Sequence, residues 1–581
     1  SLANSNIHRS VRAGILKGAD IAADGDGLAV SSPSTGISEN GVLIHAGAED
    51  QLLLISAGGA ASKEVAVEAS VVVDTMVSTV EAFIEKGAQI NTDLASSSTS
   101  QSVHLDAAHD TKVISIAGSF VGAGKVGVGA AIDVEVLDRT VQAYIEDAAA
   151  GETGAEVKAR NNVILDATSS SDLLLISAGA AFGGYVEISG SVVVLDQDTT
   201  TQAWIGEKAV VYAEGNVRVS AASADTIISV AGNLGYGGNA IGISDITLMH
   251  TDMVEAWISA ESVTAKAWRD EIPLHTGAWT SGAWETEDYA GVAVSAVSME
   301  DLLTISAAGQ ASGGNSTAGS IVVNILTETT SARIEEGVEI NLSNSDAGSG
   351  QDVRIQASDL TKVLSIAGGI TGGGNAGLGA GADVLVLTKV TEALLGPDTE
   401  VYAAGNVFIT AHSDEDLTSV SASLAVSSQA GVAGSAGVYI LDLATTAAVL
   451  DGTSTADGAR ISVLGNMLVS AQDRVEIDMI AGSVAGSSTA GIGASAGVIV
   501  IDKVTDAYIG KHSRVDVKGQ GTAITVSDGL QSGTAADSGS AEIPDKGTDG
   551  SIIDEVRAAN LEATAPGPMD SVDLSDESDS D

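Results

Sequence analysis

Along most of the chain, apolar residues alternate with small or polar ones at a period of two. Val126, Val128, Ala130, Ile132, Val134 and Val136 alternate with Gly127, Gly129, Ala131, Asp133, Glu135 and Leu137. The same rhythm runs through Val65, Val67, Ala69, Val71 and Val73, and through Leu378, Ala380, Ala382, Val384 and Val386. Successive strand residues point to opposite faces, so this pattern predicts half-buried strands with the β-branched set inward. No long segment has helical spacing with caps. Only Pro273 and Pro397 interrupt the patterned body. A hydrogen-bonded ladder requires that scarcity, because proline has no N–H to donate.

The pattern repeats. An apolar-Ser-Ile/Ala-Ala-Gly anchor recurs with its glycine or equivalent at Gly58, Gly118, Gly179, Gly232, Gly309, Gly368, Ser423 and Gly482. A second anchor, Ala-bulky-Ile/Leu, runs through Ala82-Phe83-Ile84, Ala143-Tyr144-Ile145, Ala203-Trp204-Ile205, Ala256-Trp257-Ile258, Ala332-Arg333-Ile334, Ala393-Leu394-Leu395, Ala448-Val449-Leu450 and Ala507-Tyr508-Ile509. A third, Gly-Asn-Val and its relatives, sits at Asn161-Asn162-Val163, Gly215-Asn216-Val217, Gly405-Asn406-Val407 and Gly465-Asn466-Met467. All three keep one order and a period of about 60 residues over about eight copies. A unit that cannot bury its apolar face alone does so by stacking on its neighbours. The expected fold is therefore all-β, an elongated β-solenoid of about eight ~60-residue repeats, each read as three coils of ~20 residues. At ~4.8 Å per coil such a stack would rise on the order of 115 Å. A string of β-sandwiches is the rival, but sandwiches need ~100 residues each.

Composition narrows the function. The 581 residues carry 26 Lys+Arg against 77 Asp+Glu, a net charge of −51. That balance argues against nucleic acid or an anionic membrane surface as partner, since both require basic clusters. A hydrophobic fraction of 44% is enough to bury a core, so disorder does not describe most of the chain. No apolar run approaches the ~18 residues of a membrane helix, so direct membrane insertion is not expected. There is no Cys, hence no disulfide or thiolate metal site. A start at Ser1-Leu2-Ala3 suggests a mature chain or a piece of a longer one.

The order Ser-Ile-Ala-Gly, Gly/Ala-rich alternating strand, Ala-Tyr-Ile, Gly-Asn-Val resembles the repeats of large secreted bacterial filamentous adhesins, the filamentous-haemagglutinin-like and leukotoxin-like proteins. The resemblance covers roughly residues 40–530. It implies an exported, right-handed parallel β-helix at the bacterial surface or in the extracellular medium, mediating attachment, aggregation or fibre formation. No enzymatic activity is expected. The expected organisation is an N-terminal cap or lead-in over 1–39, repeats over 40–265, a Trp-rich insertion over 266–290, repeats over 291–530, and an acidic tail or linker over 531–581.

The insertion lengthens the step between Gly232 and Gly309 and holds three of the five tryptophans. Insertions in solenoids form loops on one side, and aromatic rings beside carboxylates suit a sugar or a protein partner. Trp268, Trp279, Trp284 and Tyr289 are the candidate contacts for a cell-surface glycan or protein. Gly127, Gly129, Gly377 and Gly379, read as facing outward, are candidate contacts for lateral self-association, with end-to-end stacking as the alternative. Calcium is the one cofactor considered, at Asp24, Asp26, Asp576, Asp579 and Asp581, because hard oxygen ligands suit it.

Other motifs carry less. Gly122-Ala123-Gly124-Lys125-Val126-Gly127 matches a dinucleotide fingerprint, but a strand follows it where a helix is needed. His104, Asp106, His109 and Asp110 form the one His-rich cluster, which reads as a polar turn before a metal site. A β-helical polysaccharide lyase or hydrolase would show one coil with clustered acids and a nearby Arg or Lys, and none stands out along the sequence. A passive spacer stalk fits the Gly/Ala content as well.

Overall fold

The computed structural model describes residues 1–342, 346–520 and 523–524. The chain divides into two units, Ser1–Val526 and Ser527–Asp581. The acidic segment 531–581, with Asp576, Asp579 and Asp581, lies outside the described residues.

The first unit is a β-solenoid of stacked parallel strands. One coil shows its plan. The strand Gln101–Ala123 runs outward, the chain bends at Gly124-Lys125, and Val126–Ile145 returns beneath it. The short strand Glu156–Ala159 then closes the wide end before the next coil begins at Val163. Across the interior the two limbs meet face to face, as where the Ser115 hydroxyl donates to Asp133 Oδ1 at 2.6 Å. The short sides stack into a nine-stranded sheet from Asp20–Ile21 to Arg514–Val517.

The register revises the expected coil size. Val163 pairs with Val103 on one side and Val217 on the other, so a full ~60-residue repeat makes a single turn. Nine layers at ~4.8 Å rise about 40 Å, well short of the height expected from three coils per repeat. The anchors are the stacked positions: Ala82, Ala143, Ala203, Ala256, Ala332 and Ala393 form one column. It continues through Ala447, one residue before the expected Ala448, and ends at Ala507. At the start it extends to Ala13, because Leu2–Ile15 pairs in parallel with Val71–Ile84.

Burial changes character from the wide end to the bend. At the wide end Ile84, Ile90, Leu105, Ile145, Val157 and their equivalents form a continuous aliphatic core. A second aliphatic cluster, including Met76, Leu137, Leu175, Leu248 and Leu387, lies further along the limbs. Nearer the bend the sides exchange roles. Gly127, Gly129, Gly377 and Gly379 are buried, while Val67, Ile188 and Leu378 stand outside. The strands are where the alternation placed them, but the β-branched set faces outward. The limbs converge there, and a Cβ would sit 2.6 Å from the Phe182 carbonyl at Gly127 and 2.8 Å from the Leu424 carbonyl at Gly379. Glycine is thus inside because two backbones meet, and these four residues offer no outer contact surface.

Gly127→Val should therefore destabilise the solenoid by at least ~1–3 kcal/mol, the usual cost of overpacking. Val67→Thr, on the outer face of the same region, should change stability by less than about 0.5 kcal/mol. Urea unfolding of the two variants checks the assignment of faces.

Candidate binding cleft

Two insertions meet over the outer face of the first limb. The first precedes Ser38–Ser62 and turns back on it through an antiparallel pairing of Val30-Ser31 with Ser38-Glu39. The second is the Trp-rich insertion, which folds as a β-hairpin of Ile272–Thr280 and Ala283–Tyr289. Its two-residue turn has Ser281 at φ 55° and Gly282 at φ 82°. Positive φ at both central positions is the turn whose twist matches a hairpin, and it sets Trp279 opposite Trp284.

The hairpin is fastened to the coil face. Ile272, Leu274 and Tyr289 pack with Ile164 and Ala293 in a small separate core, joined by Ile37 of the first insertion. The Tyr289 hydroxyl donates to the Val217 carbonyl at 3.0 Å, and Arg218 donates to the Pro273 carbonyl at 2.5 Å. Tyr289 is 1% exposed, so it anchors the hairpin and is not a ligand contact as the sequence suggested. Trp268 lies apart from the cleft lining, with its indole N–H on the Asp346 carbonyl at 2.9 Å and the Lys266 ammonium over its ring.

Between the insertions lies a cleft of about 850 Å³, within the range of small-molecule sites. Trp279 and Trp284 line one wall, their rings edge to face at 5.0 Å, while Pro33, Ser34 and Thr35 line the other. The floor is made of small residues stacked in register, Gly47, Ala108, Thr168 and Ala222. At ~4.8 Å per layer it extends about 14 Å.

His45 stands at one end of this floor. Its Nδ1 lies 2.8 Å from Asp106 Oδ2, and Asp106 is fully buried and accepts hydrogen bonds from Ser32 and Ser34 of the first insertion. Gly47 keeps the other ring nitrogen uncovered, since a Cβ there would lie 2.7 Å from His45 Nε2. Beside this pair, Asp166 takes Arg218 at 2.5 Å and His104 Nε2 at 3.0 Å. Burial alone would raise Asp166, but the Arg218 guanidinium and His104 hold it down at about 2. Burial pushes His275 down to about 4 and also lowers His109, which turns into the interior against Asp50 at 2.9 Å. The His-rich cluster is thus shared between the two faces of a strand and forms no single site. Asp24 and Asp26 are exposed, and among the described residues neither belongs to a group of acids placed to share an ion.

The constellation sought for a carbohydrate-active enzyme exists in an unexpected place. Lys389 Nζ lies 2.9 Å from Asp359, 3.0 Å from Glu415 and 3.7 Å from Glu328, and Glu300 shares the acid cluster. All are 0–1% exposed, so the cluster sits inside the solenoid and lines no substrate groove. A second interior pair, Arg139 and Asp225 at 2.9 Å, lies beneath the cleft floor with Thr199 and Ser171 as further partners. On the outside, bulky residues of the second anchor stack into a ladder whose members share one position of the repeat. Phe83, Tyr144, Trp204 and Trp257 stand 5.7, 4.3 and 4.8 Å apart, with Arg12 over one end and Arg333 over the other.

Several interior acids are held protonated. Burial and then the neighbouring Asp133 push Glu135 up to about 9; burial and then Asp359 push Glu328 up to about 8. The folded chain keeps protons that the unfolded chain releases, so stability present in acid is lost as pH rises through the folded values. The unfolding midpoint should fall between pH 7 and pH 9, and Glu135→Gln should flatten that fall; thermal melts across this window check it.

No family model, curated protein or solved structure matches this chain.

Proposed function

We propose that the chain is a rod element of an extracellular structural and adhesive protein of a bacterial surface or secreted assembly, and that it holds a glycan in the cleft between its two insertions. The observation that carries this reading is the cleft. Two insertions far apart in sequence converge on one rigid sheet face and set the Trp279–Trp284 pair beside a floor cleared of large side chains. Flat rings offer the apolar face that a pyranose stacks upon, and the small floor residues leave room for its edge. The stacked backbone ladder holds both walls at fixed spacing, so little order is lost on binding.

A second reading, lateral self-association into fibres, draws support from the outer face near the bend. Val67, Ile188, Ile241, Leu378, Val432 and Ile492 are each at least 38% exposed and stand in one column of a chain with net charge −51. An uncharged stripe, aliphatic but for Thr317 between Ile241 and Leu378, on so acidic a chain suits a second copy meeting it along the same stripe.

Binding of the purified chain to a broad glycan array tests the first reading. Ring contacts are worth on the order of 1 kcal/mol each, so the W279A/W284A pair should weaken the strongest signal about tenfold or more. Retention of that signal by the double variant would remove the cleft from the function. For the second reading, I188E/I241E should abolish any concentration-dependent association seen by sedimentation; unchanged association would set the stripe aside.

A further inference from the structure

We infer that the cleft selects an amino sugar bearing a free ammonium group over N-acetylated and carboxylate-bearing sugars, an inference that rests on the glycan reading above. The charges lining the cleft carry it. Arg218 is the one cationic Lys or Arg among the lining residues, and it is consumed by Asp166 beneath it at 2.5 Å. His45 is paired with Asp106, so together they carry no net positive charge in either protonation state. Burial disfavours the charged forms of His275 and His109. What remains among the lining residues are the carboxyl groups of Glu49 and Asp110.

These two carboxylates occupy adjacent strands directly opposite each other in the register, both on the exposed face. Like charges at that position repel; Arg9 stands close, donating to the Glu49 backbone carbonyl at 3.1 Å, and Lys112 feels the Asp110 charge, but their ion pairs are made with other acids, Asp50 at 2.5 Å and Asp172 at 2.7 Å. Gln51 donates to Glu49 Oε1 at 2.5 Å and Ser170 to Asp110 Oδ1 at 2.8 Å. One oxygen of each carboxylate is left for a ligand, and these oxygens are acceptors only. In the tautomer that donates from Nδ1 to Asp106, His45 Nε2 is a third acceptor, uncovered by Gly47. A site built of three acceptors calls for a ligand rich in donors. An ammonium supplies three N–H groups and the charge that separates Glu49 from Asp110, and the faces of Trp279 and Trp284 attract the same charge. An acetamido group supplies one N–H and no charge; a uronate brings a third negative charge into the cleft.

Titration calorimetry with the glucosamine hexamer, the N-acetylglucosamine hexamer and the galacturonate hexamer, at ~0.15 M salt to screen distant charges, tests the inference. The glucosamine hexamer should bind about tenfold tighter than its N-acetylated counterpart, and the galacturonate hexamer should not bind. E49Q/D110N should erase the preference while keeping the N-acetylated sugar, and W284A should weaken both. Equal affinities, or tightest binding of galacturonate, overturn the selectivity and leave the glycan reading in place. Glucosamine binding that survives both W284A and E49Q/D110N is general attraction to an acidic chain, and it too overturns the inference. Failure of all three sugars alongside a Trp-dependent signal on the array overturns the selectivity alone; failure of every sugar overturns both readings.

Discussion

The parallel hydrogen-bonded ladder between successive coils is the constraint on which the rest of the structure depends. It pairs each residue with its equivalent about 60 positions away, as with Val103, Val163 and Val217. Every outward or inward choice in one coil is therefore repeated beside itself in the next. Columns of alanine permit close limbs, columns of aliphatics make the core, and the column of Phe83, Tyr144, Trp204 and Trp257 becomes a stack because the ladder spacing suits ring contact.

The same stacking makes ionisable side chains costly inside. A charge in one layer faces the layers above and below with no water between, and it is tolerated only with a partner or a proton. Lys389 gathers Asp359, Glu415 and Glu328 around one ammonium, and Arg139 takes Asp225. Where no cation reaches, as at Asp74, Asp133 and Glu135, burial keeps the carboxyls protonated above their ordinary range. The interior thus alternates aliphatic clusters with polar layers along each limb. Within the stack these polar layers are closed off from solvent.

The cleft forms where the repeat is interrupted. The insertion before Ser38 and the hairpin of Ile272–Tyr289 are separated by more than 200 residues, yet the coils between them bring both onto one sheet face. The small core of Ile37, Ile164, Ile272, Leu274, Tyr289 and Ala293 then locks the two insertions to the sheet. Asp106 is held by Ser32 and Ser34 from one insertion and orients His45 from the coil, so the cleft is assembled from both.

Much of this architecture was legible in the residues alone. The period-two alternation located the strands, the three anchors located the repeat, and the interrupted period located the Trp-bearing insertion. Those features are local, and local patterns survive whatever the chain packs against. The face each strand turns inward was not legible. Alternation fixes that Gly127 and Val128 point opposite ways, but only the convergence of the two limbs decides that glycine goes in. The coil perimeter was hidden for the same reason, since a ~60-residue repeat is compatible with one turn or three until the hydrogen-bond partner is known. Tyr289 and the tryptophans looked alike in sequence and were separated by packing, which buried one as an anchor and left Trp279 and Trp284 on a wall. The partnership of residues 32–37 with the hairpin belongs wholly to the tertiary structure, because only stacking of the intervening coils brings those segments together.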